Sequence, residues 1–243
     1  MSKSGLNDLS EILSSNTYPG RGIIVGKSAD GTKAMIAYFI MGRSENSRNR
    51  IFERFEGGMR TKAFDESKLT DPHLIIYNPY LITPNSDIVT NGDQTDTIYN
   101  LCLEEPENLY AFEKSLHTRE FEDDKPNFTP RISAILNYKD KDFTYKLSIL
   151  KSSDGDPQVC DRYFYSYAPI NALGHFIHTY ESDGNPIPSF YGEPERVTLP
   201  NTAKELADIV WENLNDDNKV SLFVRTVCLE CGEAEEIIIN KNK

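Results

Sequence analysis

Arg43, Arg48 and Arg50 fall within eight residues of a chain whose net charge is −12. A guanidinium is a planar fork of donors, suited to gripping phosphate or carboxylate through two parallel bonds. The same segment carries Glu45, with Glu53 close behind, and a solvated turn with surface ion pairs would look alike. A second polar cluster runs from Ile88 to Asn100, reading IVTNGDQTDTIYN. Ile88 and Val89 look like a strand end. Asn91-Gly92 is a turn in which both residues tolerate positive φ, and Thr95 and Asp96 offer helix N-cap oxygens. Such a junction leaves backbone N–H groups pointing one way, where an anion or carbonyl oxygen can sit. An ordinary strand–turn–helix junction has the same pattern. Thr129-Pro130-Arg131, just before a strand, is a third cluster of this kind.

Other chemistries lack their residues. There is no GxSxG elbow and no phosphate loop, and nothing reads as a stored nucleophile. Cys228 and Cys231 have zinc-finger spacing without a second pair to complete four ligands. His175 and His178 sit three apart in a strand-like segment, which sends them to opposite faces. No metal and no cofactor are therefore expected. Cys102, Cys160, Cys228 and Cys231 are too scattered for a disulfide scaffold. The acidic balance argues against a nucleic-acid polymer, which needs a broad basic surface, but leaves room for a small phosphorylated ligand. No apolar run approaches the roughly 18–20 residues that cross a bilayer. The first residues lack the apolar stretch of a secretory signal, so a cytoplasmic protein is expected.

The elements that must position these groups are legible in outline. Leu6, Leu9, Ile12 and Leu13 predict a short helix over 6–15. Arg21–Lys27 and Ala34–Gly42 read as strands joined by Asp30-Gly31, and IFERF and MRTKAF as a hairpin across Gly57-Gly58. Leu74 to Ile82 reads as one or two buried strands interrupted by Pro79. A helix is expected from Pro106, with Leu109, Phe112 and Leu116 as its apolar stripe. Arg131 to Leu150 forms a hairpin around KDKD, and 159–197 predicts strands with long loops. Thr202 and Glu205 make a capping box opening a helix through Leu206, Ile209, Val210 and Leu214. VSLFVRTVCL and EIIIN close the chain as a hairpin. Mostly antiparallel strands with segregated helices predict an α+β fold in a single domain, 1–243.

In order along the chain, YPGRGIIVG from Tyr18, AYFIMGRS and NR between Ala37 and Arg50, NPY from Asn78, TNGDQTDTI from Thr90 and TPRI from Thr129 resemble the archaeal-type inosine monophosphate cyclohydrolase family. The resemblance covers roughly residues 18–138, leaving 1–17 as an N-terminal extension. It implies a four-layered αββα sandwich like that of N-terminal nucleophile hydrolases. It also implies closure of the purine ring of 5-formamidoimidazole-4-carboxamide ribotide, giving inosine monophosphate (IMP) and water. No covalent nucleophile is needed, because the substrate carries both reacting groups. Arg50 and the turn at Asn91 and Gly92 are then candidate donors to the formyl oxygen, and Glu122 the acid/base. Arg43 and Arg131 are candidates for the phosphate, with the arginine roles exchangeable. Arg21, Tyr80, Gln94, Thr95 and Asp96 complete the expected substrate-binding set. The expected partner is a small phosphorylated purine precursor, with no membrane and no nucleic acid, and a homo-oligomer stays open.

The chain departs from the archaeal pattern in the Arg43–Arg50 spacing, at Thr83 and in the loop before TPRI. Two other functions share its features. An N-terminal-nucleophile amidohydrolase would need cleavage before Thr17 to free a threonine amine. A non-catalytic module would bind a purine nucleotide without turning it over.

Overall fold

The computed structural model describes residues 5–69, 72, 75–139 and 142–243. Strands β1 (Arg21–Lys27) and β2 (Lys33–Met41) are apolar nearly throughout, and their side chains alternate between two cores. Ile23, Val25, Ile36 and Tyr38 face one core, while Ile24, Ala37 and Phe39 face another. Continuous apolar strands of this kind mean a sheet covered on both sides. β1 and β2 lie at the centre of a six-stranded sheet. It also holds β10 (Leu173–His178), β11 (Glu195–Thr198), β12 (Lys219–Cys228) and β13 (Ala234–Asn240), in the order β11-β10-β1-β2-β12-β13.

The second sheet has seven strands, in sequence order. They are β3 (Arg50–Phe55), β4 (Gly58–Ala63), β5 (Tyr80–Ile82), β6 (Ser86–Thr90), β7 (Arg131–Lys139), β8 (Asp142–Ser153) and β9 (Asp156–Tyr167). Every strand pair in both sheets is antiparallel. The inner faces meet in one core, where Ile23 and Tyr38 pack with Val89, Ile132 and Leu147.

Helices close the outer faces. α1 (Leu9–Ser15) and α5 (Ala203–Asn213) bring Leu9, Leu13, Leu206 and Val210 onto the six-stranded sheet. α3 (Gln94–Glu104) and α4 (Ala111–Leu116) set Ile98, Phe112 and Leu116 against Ile88, Ile135 and Leu150 of the other. The result is an α+β sandwich layered αββα. No helix among the described residues is long and apolar enough to cross a membrane.

Several expectations need adjustment. α1 starts at Leu9, where the Asp8 side chain accepts from Ser10 N at 2.8 Å, so Leu6 lies outside it. The arginine-rich segment folds into a short helix α2 (Glu45–Arg48), closed by a reciprocal Ser44–Ser47 capping box. Of the expected strand over Leu74–Ile82 only β5 forms, and Leu74 lies outside the described residues. Pro79 has no N–H to give a ladder, and its carbonyl instead accepts from Thr90 N at 2.8 Å. The helix expected from Pro106 begins only at Ala111, and Leu109 is 82% exposed. The Thr202–Glu205 capping box forms as expected. So do the β7–β8 and β12–β13 hairpins, with residues 140 and 141 of the KDKD turn outside the described set.

Leu13, 1% exposed, packs in the same core as α5, so the N-terminal segment is built into this layer. Leu13→Ala is therefore expected to cost about 2–5 kcal/mol, as buried leucines do. Chemical denaturation checks it. A loss below about 0.5 kcal/mol, the range of surface substitutions, would show α1 to be dispensable.

Candidate active site

Strand starts and ends gather at one end of the sandwich. Arg21 opens β1, Arg50 opens β3, Arg131 opens β7, and Arg43 follows the end of β2. Since Arg21 pairs with Ile40, the start of β1 and the end of β2 are neighbours. Arg21, Arg43 and Arg50 line a cavity of about 220 Å3 together with Tyr18, Asn46, Glu122, Asp124 and Tyr180. A larger depression of about 580 Å3 over α3 and α4 opens broadly to solvent, with Lys114 and Arg119 as its cations. It holds no such buried group of charges, so the smaller cavity is the candidate site.

Glu122 is the buried carboxyl of this cavity, 8% exposed, in a loop held by its N–H to Thr129 O at 2.9 Å. Burial pushes its pKa up, outweighing the attraction of Arg21, Arg131 and Arg50. Arg131 approaches it from behind at 4.0 Å. Arg50 is 2% exposed, and burial together with the Arg21 charge pulls its pKa down. Burial also works against Arg21, but the oxygens of Tyr180, Tyr18 and Glu122 outweigh it and hold that guanidinium above its ordinary range. Tyr77, 7% exposed, shares a 2.8 Å hydrogen bond with the Tyr38 hydroxyl, and burial raises both phenols. Arg43 sits nearer the mouth, over the Tyr18 ring at 5.1 Å, donating to Gly184 O at 2.8 Å and paired with Asp183. A buried carboxyl with a raised pKa beside guanidinium groups can donate a proton and stabilise a developing oxyanion.

The expected site residues divide into two groups. The structure brings Arg21, Arg43, Arg50 and Glu122 together at the cavity. It commits the central turn elsewhere. Neither Asn91 nor Gly92 has a positive φ. The Gly92 N–H donates to Thr90 Oγ1 at 3.1 Å, within the protein. Asn91 reaches across to β7, donating to Pro130 O at 2.9 Å and accepting from Ile132 N at 2.9 Å. Gly92 is glycine because a Cβ would meet Arg131 Nη1 at 2.3 Å.

Gln94 accepts from that same Nη1 at 2.7 Å, and Thr95 shares a 2.6 Å hydrogen bond with Thr90. Neither Thr95 nor Asp96 caps α3, whose N-cap is Asp93, with no side-chain hydrogen bond to the helix N-terminus. Asp96 accepts from Asn78 Nδ2 at 3.1 Å beside the open depression. Arg131 Nη1 contacts Asp93 at 2.7 Å and Gln94 at 2.7 Å, and Arg131 is not among the residues lining the cavity. Tyr80 is 1% exposed in the inter-sheet core against Phe223, away from the cavity lining.

Sequence reasoning passed over Tyr18, Tyr77, Asp124 and Tyr180. Tyr77 carried a signal, as a polar-tipped aromatic inside an apolar run. Tyr180 comes from the C-terminal third, where no motif pointed to it. His175 and His178 do face opposite ways: His175 Nδ1 meets Tyr145 OH at 2.7 Å, and His178 Nδ1 meets Tyr180 O at 2.8 Å. Thr17 is exposed, outside this cavity's lining, and follows an α1 whose Leu9 and Leu13 are buried.

Fold and site together define an αββα sandwich protein with a buried arginine–carboxyl–tyrosine cavity at one end of its two sheets. A family profile described as IMP cyclohydrolase-like protein matches residues 18–230, and the chain belongs to that family. An IMP cyclohydrolase of Methanosphaera stadtmanae is 32% identical over 122 residues. That alignment spans 50% of this chain and 59% of the archaeal protein.

The raised pKa of Glu122 has a consequence for stability. Its folded form holds a proton to higher pH than the unfolded chain does, so stability falls as pH rises from the ordinary value of 4.5 through the folded pKa. Glu122→Gln removes this component. Denaturation of both proteins over a pH series should show the parent losing ground to the variant across that window. A constant difference would mean the carboxyl is not perturbed.

Proposed function

We propose that the protein is an IMP cyclohydrolase, closing the purine ring of 5-formamidoimidazole-4-carboxamide ribotide with loss of water. The observation that carries the reading is the buried Glu122 carboxyl lining one cavity with Arg21, Arg50 and the more exposed Arg43. The family membership gives that placement its chemistry. The carboxamide nitrogen adds to the formyl carbon and gives up one proton, while the formyl oxygen gains one. The new hydroxyl then leaves as water with the proton of the former formamide nitrogen, and a C=N bond remains.

Each protein group has a task in this scheme. The cavity walls hold the two reacting groups in contact, where orientation alone is worth about 7–11 kcal/mol. Arg50 and Arg21 face the oxygen as it gains charge, and Glu122 protonates the departing hydroxyl and takes back the proton of the former formamide nitrogen. Arg43, nearest the mouth, takes the ribotide phosphate in exchange for Asp183. The reading carries a cytoplasmic location with it.

Arg50→Lys tests it directly. Lysine keeps the charge but loses the planar fork, so kcat should fall on the order of a hundredfold, as for loss of one oxyanion donor. KM and affinity for IMP should change little. Ring closure is followed by the appearance of IMP absorbance on incubation with the formamido ribotide. Full turnover by the variant would remove Arg50 from the mechanism. A parent that binds IMP without forming it would favour a regulatory nucleotide-binding module.

A further inference from the structure

The hydrogen-bond chain behind Tyr180 has a fixed direction. Thr129, wholly buried, donates its backbone N–H to Asp124 Oδ1 at 2.6 Å and its hydroxyl hydrogen to Asp124 Oδ2. A threonine hydroxyl has one hydrogen. The 2.6 Å contact between Thr129 Oγ1 and Tyr180 OH must therefore use the hydrogen of Tyr180. The Tyr180 ring is itself held by stacking on Tyr18, with centroids 5.8 Å apart. Its oxygen thus stands at the cavity wall with its hydrogen committed inward, able only to accept.

The guanidinium groups around it have the opposite property. Arg21, Arg43 and Arg50 only donate. The other acceptors in the lining are the Glu122 carboxyl, Asn46 Oδ1, which is buried without a hydrogen-bond partner, and Asp124 and Asn127, which already accept from Thr129 and Ile187. A ligand whose oxygens are satisfied by three guanidinium groups still has N–H or O–H hydrogens that lose water on entry. A buried donor left without an acceptor is costly.

We propose that Tyr180 is a specificity-determining residue of this site: it accepts a hydrogen bond from an N–H or hydroxyl of the bound ribotide, with Thr129 and Asp124 as the residues that set its direction. This rests on the ring-closure reading and adds to it which ligand hydrogen the protein demands. The donor is either the ring N–H that the carboxamide becomes or one of the two ribose hydroxyls.

Calorimetric titration of the full chain with IMP, 1-methyl-IMP, 2′-deoxy-IMP and 3′-deoxy-IMP tests this, comparing the parent with Tyr180→Phe. The variant keeps the stacked ring and loses the acceptor. It should bind IMP about five- to tenfold more weakly, the factor a hydrogen bond of ordinary strength supplies. For one of the three analogues, parent and variant should bind alike, and that analogue names the hydrogen. The same loss with all three analogues, or no loss with IMP, overturns the assignment. Thr129→Ser keeps the chain of donors and should keep parental affinity. Thr129→Val frees the phenol hydrogen to turn toward the ligand and should weaken binding, though less than Tyr180→Phe, because the oxygen can still accept. Serine behaving like valine would reduce the effect to packing and overturn the proposal. A parent that binds none of the four nucleotides is a separate outcome, which overturns the ring-closure reading and this inference with it.

Discussion

A buried carboxyl sets the terms for everything at the open end of this sandwich. Glu122 cannot sit at 8% exposure without compensating charge nearby, and isolated ions are expelled from protein interiors at a cost of several kcal/mol. The cations that meet it come from separate strands: Arg21 from β1 in one sheet, Arg50 and Arg131 from β3 and β7 in the other. Each is the first residue of its strand, so the guanidinium groups converge only if both sheets are in register at that end. The cavity therefore depends on the whole sandwich. Burial still outweighs the three positive charges and leaves the carboxyl inclined to keep its proton.

The turn after β6 serves this arrangement from behind. Asn91 bonds to both sides of the β7 start, Gln94 accepts from Arg131, and Gly92 leaves room for that guanidinium. Arg131 then faces Glu122 at 4.0 Å while its Nη1 is held by Asp93 and Gln94. A segment that has the composition of an anion cradle is instead a bolt between β6, α3 and β7. Its polar groups are spent on the protein, as buried polar groups must be. The two sheets are also tied at their far edge, where Asn240 of β13 exchanges bonds of 2.8 and 3.0 Å with Phe52 of β3. Arg225 of β12 reaches Asp87 of β6 at 3.1 Å.

The C-terminal third completes the cavity. Tyr180 and Ile187 line it, and the segment with Asp183 and Gly184 holds Arg43 at the mouth. None of these residues belongs to the run of motifs between Tyr18 and Arg131. They reach the site because β10 pairs with β1, which sets the end of β10 beside the start of β1.

The sequence by itself determined the strands, most of the helices and the chemistry on offer. Alternation in β1 and β2 is local, capping at Thr202 is local, and side-chain type decides that arginine donates and glutamate can hold a proton. The family membership was legible from motif order for the same reason, since motifs are contiguous. What only the tertiary structure decided is which of those polar groups face a ligand. Arg50 and Arg131 look equivalent along the chain, both next to a strand start and both among polar neighbours. One lines the cavity and the other is bonded behind it. Asn91 and Gly92 look like free donors until β7 is set against β6 and their hydrogen bonds are taken. Tyr180 was silent in sequence because its role is fixed by Thr129, fifty-one residues earlier. A hydrogen bond's direction and a carboxyl's pKa depend on neighbours brought in through space, and pairing between distant strands supplies them.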